Sequence, residues 1–242
     1  MIDGTDSAPA ARLKGYFPRL REAVSLWSEA GKAARHDDSI FIWIPKNAGT
    51  SIHAVLRDYG FVKLKSPRSV RLSFRGRGRV TFGHMAVGSL VEAGLVSPQF
   101  VERSFKFAFT RDPYARAASL YHYLSNTYVI PNWHERPSFR QFLNLLADGF
   151  YDRIGLYNTR GLSQCSPQAD WLRDTPPDKL YRIEDFGEFL TDIAERWGIS
   201  ASEIPYLNRS GNRAEIELER EDRALIEKIY AEDFDMLGYS RK

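Results

Sequence analysis

The chain has 242 residues, 43% hydrophobic and 27% charged, with a formal net charge of +3; that is enough for one soluble domain with a full core, and it argues against a disordered or generally polybasic protein. A single cysteine, Cys165, excludes an intramolecular disulfide and suits a reducing compartment. No apolar stretch approaches membrane-spanning length, and no charged-then-apolar leader opens the sequence.

In chain order, residues 1–38 form an N-terminal extension in which Leu13, Phe17, Leu20, Val24 and Trp27 recur at helical spacing among basic residues. The pattern predicts an amphipathic helix that packs on its own domain or on a second subunit, with contact to an anionic membrane surface as the alternative. Residues 39–242 form the main domain. Phe41 to Ile44 is an apolar run stopped by Pro45, and Lys46-Asn47-Ala48-Gly49-Thr50-Ser51 then leads into a helix. Gly49 is expected to let the backbone turn closely around an anion. A helix N-terminus beside a lysine favours negative charge, because unpaired N–H groups and the macrodipole act together.

Lys63, Lys65, Arg68, Arg71, Arg75, Arg77 and Arg79 then form a cationic run without an acid. A solvated loop is the plain reading, recognition of an anionic acceptor the sharper one, and nucleic acid the weakest, since no recognisable binding motif accompanies the charges. Val80 to Gly83 reads as a short strand ending at His84. Phe105 to Thr110 is another strand, followed by Arg111, with Asp112 and Pro113 suited to the cap and first turn of a helix that carries Ser119. Arg111 and Ser119 can face one pocket, and a guanidinium clamps a phosphate well. Arg116 reads equally as a phosphate contact, a solvated cation or a partner for Asp112. Further strands and helices are expected at 180–184, at 186–197 and from Ile226 to the end. The segment Phe139 to Leu146 reads as core helix, and Asn132 to Arg136 as a lid on the acceptor side. The loop Asn208 to Arg213 is rich in turn formers and donors.

The order Pro45-Lys46-x-x-Gly49-Thr50-Ser51 differs from the nucleotide-triphosphate loop, in which lysine follows the second glycine. It resembles the 5′-phosphosulfate loop of sulfotransferases that use 3′-phosphoadenosine 5′-phosphosulfate (PAPS), especially the carbohydrate sulfotransferase type. Arg111-Asp112-Pro113-x-x-Arg116-x-x-Ser119-x-Tyr121 resembles the 3′-phosphate motif of the same family, and the closing Asp233-Phe234-x-x-x-Gly238-Tyr239 resembles its final segment.

The resemblance implies an α/β fold: a P-loop-like parallel sheet flanked by helices, in a single domain, with ligands at the carboxyl ends of the strands. It implies PAPS as donor, 3′,5′-ADP (PAP) as product and no metal. Lys46 to Ser51 would hold the 5′-phosphosulfate, and Arg111 with Ser119 the 3′-phosphate. Lys46 would stabilise the departing oxygen and His84 would act as general base in an in-line displacement. The acceptor is expected to be a hydroxyl of a saccharide, an anionic one on the sharper reading of the basic run, with no nucleic-acid partner. A bacterial-type cytoplasmic enzyme is the expected setting, since Golgi relatives carry an anchor. A nucleotide-dependent kinase and a catalytically silent nucleotide or glycan binder are the alternatives. The kinase is disfavoured because Arg111, not a metal-binding acid, ends the second strand.

Overall fold

The computed structural model describes residues 38–127, 137–150, 161–198 and 216–242. The N-terminal extension, the lid at Asn132 to Arg136 and the loop Asn208 to Arg213 lie outside the described residues. Among the described residues five strands, β1 (Ser39–Ile42), β2 (Val62–Lys63), β3 (Arg79–Thr81), β4 (Phe105–Thr110) and β5 (Lys179–Arg182), form one sheet in the order β2-β3-β1-β4-β5. Every pairing is parallel; Ile40 faces Val80 on one side, and Ile42 faces Ala108 on the other. Parallel strands need crossovers, and helices supply them. The chain belongs to the α/β class as a single domain, as its motifs imply.

Strand β1 is central and buried on both faces, which explains its unbroken apolar sequence. Ile40, Ile42 and Ile44 enter one core with Val80, Phe82, Leu90 and Phe100. Phe41 and Trp43 enter the other with Phe107, Phe109, Tyr181 and Phe189. Helix α1 (Gly49–Asp58) packs Ile52, Val55 and Leu56 into this second core.

The basic run is not a loop. It contains the end of β2 and helix α2 (Pro67–Ser73), whose Ser66 and Ser69 form a reciprocal capping box with Pro67 in the first turn. Helices α3 (Val87–Glu92) and α4 (Pro98–Arg103) lead to β4. A third core joins α5 (Pro113–Thr127) to α6 (Phe139–Ala147), α9 (Arg220–Ile229) and α10 (Ala231–Leu237). The tail is thus two helices that meet at Tyr230. Between these lie α7 (Gln168–Arg173) and, after β5 and a short turn at Ile183–Asp185, α8 (Phe186–Trp197). Among the described residues no helix is long and apolar enough to cross a membrane.

Topology fixes where a ligand can sit. The chain leaves β1 for β2 and β3 on one side, then crosses to β4 and β5 on the other. A crevice opens outside the carboxyl ends of strands at such a reversal. The loops after β1 and β4 border it.

Candidate active site

Lys46 and Ala48 are the described non-glycine residues with left-handed backbone, at φ 69° and 53°. Alternation of this kind curls successive N–H groups toward one point, which makes an anion-binding concavity. Ala48 is the N-cap of α1, and it offers no side-chain cap; the first turn also lacks an acid. The end of α1 therefore keeps its positive character for a ligand.

Gly49 has a different task from the one its sequence position suggests. Its φ is not left-handed. A β-carbon there would lie 2.0 Å from Trp43 Nε1, so glycine is required because the indole lies against the helix start. Asn47 also points inward. Its side chain is 1% exposed, and Nδ2 donates to Phe109 O and Gln168 Oε1, both at 2.7 Å. Ala48 and Thr50 are exposed and Ser51 is half-buried.

Arg111 stands beside the loop, its Nη1 donating to Lys46 O at 3.5 Å. Asp112 Oδ1 accepts from the N–H groups of Tyr114 and Ala115 and caps α5, as its sequence predicts. One face of α5 looks toward the loop. Arg116 Nε donates to Pro45 O at 3.3 Å, and Lys46 Nζ lies 4.0 Å from the centre of the Tyr123 ring. Ser119 is half-buried, three residues after Arg116 and four before Tyr123, and so shares their face.

Arg116 is neither a solvated cation nor a partner of Asp112. It is 0% exposed, and Nη2 donates to Gln164 O and Ser166 O at 3.0 and 2.9 Å. Its guanidinium also lies 5.4 Å from the Tyr230 ring centre. The residue braces the loop after β1 through Pro45.

His84 follows Gly83, whose φ of 60° turns the chain after β3; a β-carbon at Gly83 would come within 3.3 Å of Leu64 O. The turn brings His84 Nδ1 within 3.3 Å of Trp43 O, with the imidazole edge-on to the indole at 5.4 Å. A carbonyl only accepts, so Nδ1 carries the proton and the lone pair is on Nε2. Burial lowers the His84 pKa to about 4; the Trp43 carbonyl opposes this, while Lys63 and Lys46 add to it. The imidazole is therefore neutral near pH 7.

Trp43 organises this side of the site. His53 stacks on it at 5.7 Å, and Lys63 Nζ sits 3.4 Å from the ring centre. Burial, then Lys65, lowers the Lys63 pKa. Among the described residues Lys63 makes no ion pair. Cys165 is buried, in keeping with a packing role. Among the described residues no cluster of His, Cys, Asp or Glu is arranged to hold a metal.

Sequence reasoning left Gln168 without a role, did not single out Trp43, and read Lys63 only as one member of the cationic run. Gln168 and Trp43 act through partners distant in the chain, which no local pattern reveals.

The sulfotransferase-family model matches residues 33–240. Among solved structures, a sulfotransferase from Alicyclobacillus acidocaldarius is similar at 15% identity and a TM-score of 0.50, covering 84% of this chain and 94% of that one. A mouse sulfotransferase, SULT7A1, complexed with PAP is similar at 16% identity and a TM-score of 0.43, covering 82% and 67%. No curated protein matches the chain.

Proposed function

Because the chain belongs to the sulfotransferase family, we propose that it moves a sulfonate group from PAPS to a hydroxyl acceptor, a carbohydrate, in the cytosol. The observation that carries this reading is the contact of Arg111 with the main chain of Lys46. It joins a cation suited to one phosphate to a loop suited to another, as a nucleotide bearing both 5′ and 3′ groups demands.

The donor supplies an activated sulfonate. The N–H groups around Lys46 to Ser51 would hold its 5′ end, and Arg111 with Ser119 its 3′-phosphate. Lys46 would place positive charge where the oxygen departing from sulfur becomes negative, a role worth roughly 10²–10³ in rate for a single well-placed donor. The acceptor oxygen forms the new bond to sulfur while its proton passes to His84. The Trp43 carbonyl holds the tautomer with the Nε2 lone pair that this step needs.

The half-buried Lys63 ammonium, which makes no ion pair among the described residues and is close enough to His84 to shift it, supports an acceptor with negative charge near its reacting hydroxyl. Exposed Lys65, Arg68 and Arg71 continue the positive surface from Lys63. Nothing in this arrangement calls for a nucleic-acid partner.

Thermal unfolding with 3′,5′-ADP in chelator tests the nucleotide reading. A ligand that binds only the native state raises Tm. Stabilisation without Mg²⁺ supports the proposal. Stabilisation by ATP–Mg²⁺ alone would replace it with a kinase.

A further inference from the structure

Gln168 is fully buried at the start of α7 and spends its amide on both phosphate elements at once. Its Oε1 accepts from Asn47 Nδ2 at 2.7 Å and from Arg111 N at 2.9 Å. Its Nε2 donates to Arg111 O at 2.9 Å and to Asp233 Oδ2 at 3.1 Å. Asp233, itself 0% exposed, uses its other oxygen to accept from Ala169 N at 2.9 Å.

These bonds fix every orientation in the group. The main-chain N–H of Arg111 only donates and its carbonyl only accepts, so they set Oε1 toward Arg111 N and Asn47 and the Nε2 end toward Arg111 O and Asp233. Phe109 O likewise only accepts, so it fixes the amide of Asn47. No member can flip without leaving a buried polar group unpaired. The result is a rigid tie from the loop after β1, through one side chain, to both main-chain groups of Arg111, the residue that follows β4.

We infer that Gln168 is a positioning residue that sets the spacing between the two phosphate-binding elements, and through it the preference for a nucleotide bearing a 3′-phosphate. The inference rests on the nucleotide reading above. Gln168 touches neither phosphate; it holds the main chain of Arg111 in register with the loop at Asn47. Each element alone would still bind one phosphate without it. What requires the tie is binding both together, since charge-assisted contacts to a rigid ligand fall off with small displacements.

The test is calorimetric titration of the full chain with 3′,5′-ADP and with 5′-AMP. Wild type is expected to prefer the bisphosphate. Gln168→Met keeps the side-chain length and removes all four bonds. It is expected to reduce that preference by ~10-fold or more while changing 5′-AMP affinity by no more than ~3-fold. A general loosening of the fold would weaken both ligands alike. Should Gln168→Met fail to fold, Asp233→Asn leaves one acceptor where Gln168 Nε2 and Ala169 N now use two, loosening the tie from outside both phosphate elements; the same loss of preference is expected. A folded variant whose preference stays within ~2-fold of wild type overturns the inference. If wild type itself shows no preference, the nucleotide reading fails and the inference with it.

Discussion

Trp43 and Gly49 are in such close contact that a β-carbon on Gly49 would stand 2.0 Å from the indole Nε1 and 2.3 Å from Cε2. The indole is 4% exposed and lies within the aromatic core, so it has little room to retreat. Gly49→Ala is expected to destabilise the protein by at least about 2 kcal/mol through overpacking. Trp43→Phe in the same chain should recover part of that loss, because it removes the pyrrole edge of the clash. Urea unfolding of the two single variants and the double variant measures the coupling. Additive losses would show that the contact is not what requires glycine.

His84 gives the site a pH signature. Its pKa is about 4 in the folded protein against 6.5 in the unfolded chain. Between those values the unfolded chain binds a proton that the native one does not, so stability falls as pH drops from 6.5 toward 4 and is unaffected above. The loss attributable to this residue is at most about 3 kcal/mol. His53 shifts in the same direction, mainly through burial, and adds to the slope. His84→Gln should flatten the slope in that window and remove turnover while leaving nucleotide binding intact. In wild type, the acid limb of kcat/KM is expected near pH 4 to 5 rather than at the ordinary histidine value.

Arg116 should behave as structure before it behaves as chemistry. Its three hydrogen bonds end on the carbonyls of Pro45, Gln164 and Ser166, which a lysine cannot reach together. Arg116→Ala strands those acceptors and opens a cavity, at a cost of about 2–4 kcal/mol. Arg116→Lys should recover little of it in denaturant unfolding. An unchanged midpoint in either variant would contradict the bracing role.

Lys63 is expected to report the acceptor. Lys63→Met keeps an unbranched side chain against Trp43 but removes the charge, so KM for an anionic acceptor should rise by ~10-fold while KM for a neutral one stays the same. The acid limb assigned to His84 should also move to higher pH, because a cation that lowers its pKa is gone. Equal effects on both acceptors would assign Lys63 to packing alone.

Strands β1 and β4, the loop after β1 and the cap at Asp112 were legible in the sequence because each rests on a local signal: an apolar run, a stop at Pro45, a capping carboxylate before Pro113; the parallel sheet was read through the family resemblance. Helix α8 falls at Phe186–Trp197, where its pattern predicts it. Strand β2 was not legible. It is two residues at the sheet edge, with Val62 43% exposed, and carries no periodicity. The roles of Arg116, Gln168 and Gly49 were hidden for another reason. Their partners are set by tertiary contact: Pro45 for Arg116, Asn47 and Asp233 for Gln168, and an indole lying across the helix start for Gly49. The closing motif belongs with them. Tyr239 OH donates to Thr110 Oγ1 at 3.0 Å, and Asp233 anchors Gln168, so the tail secures the end of β4 and the first turn of α7.

Transfer of labelled sulfonate from PAPS to a panel of neutral and anionic saccharides, in chelator, tests the central claim most directly. Wild type is expected to label at least one acceptor, and Lys46→Ala is expected to lose that transfer by ~10²-fold or more. Nucleotide binding without Mg²⁺ but no labelling of any hydroxyl, or labelling that survives Lys46→Ala undiminished, would contradict it.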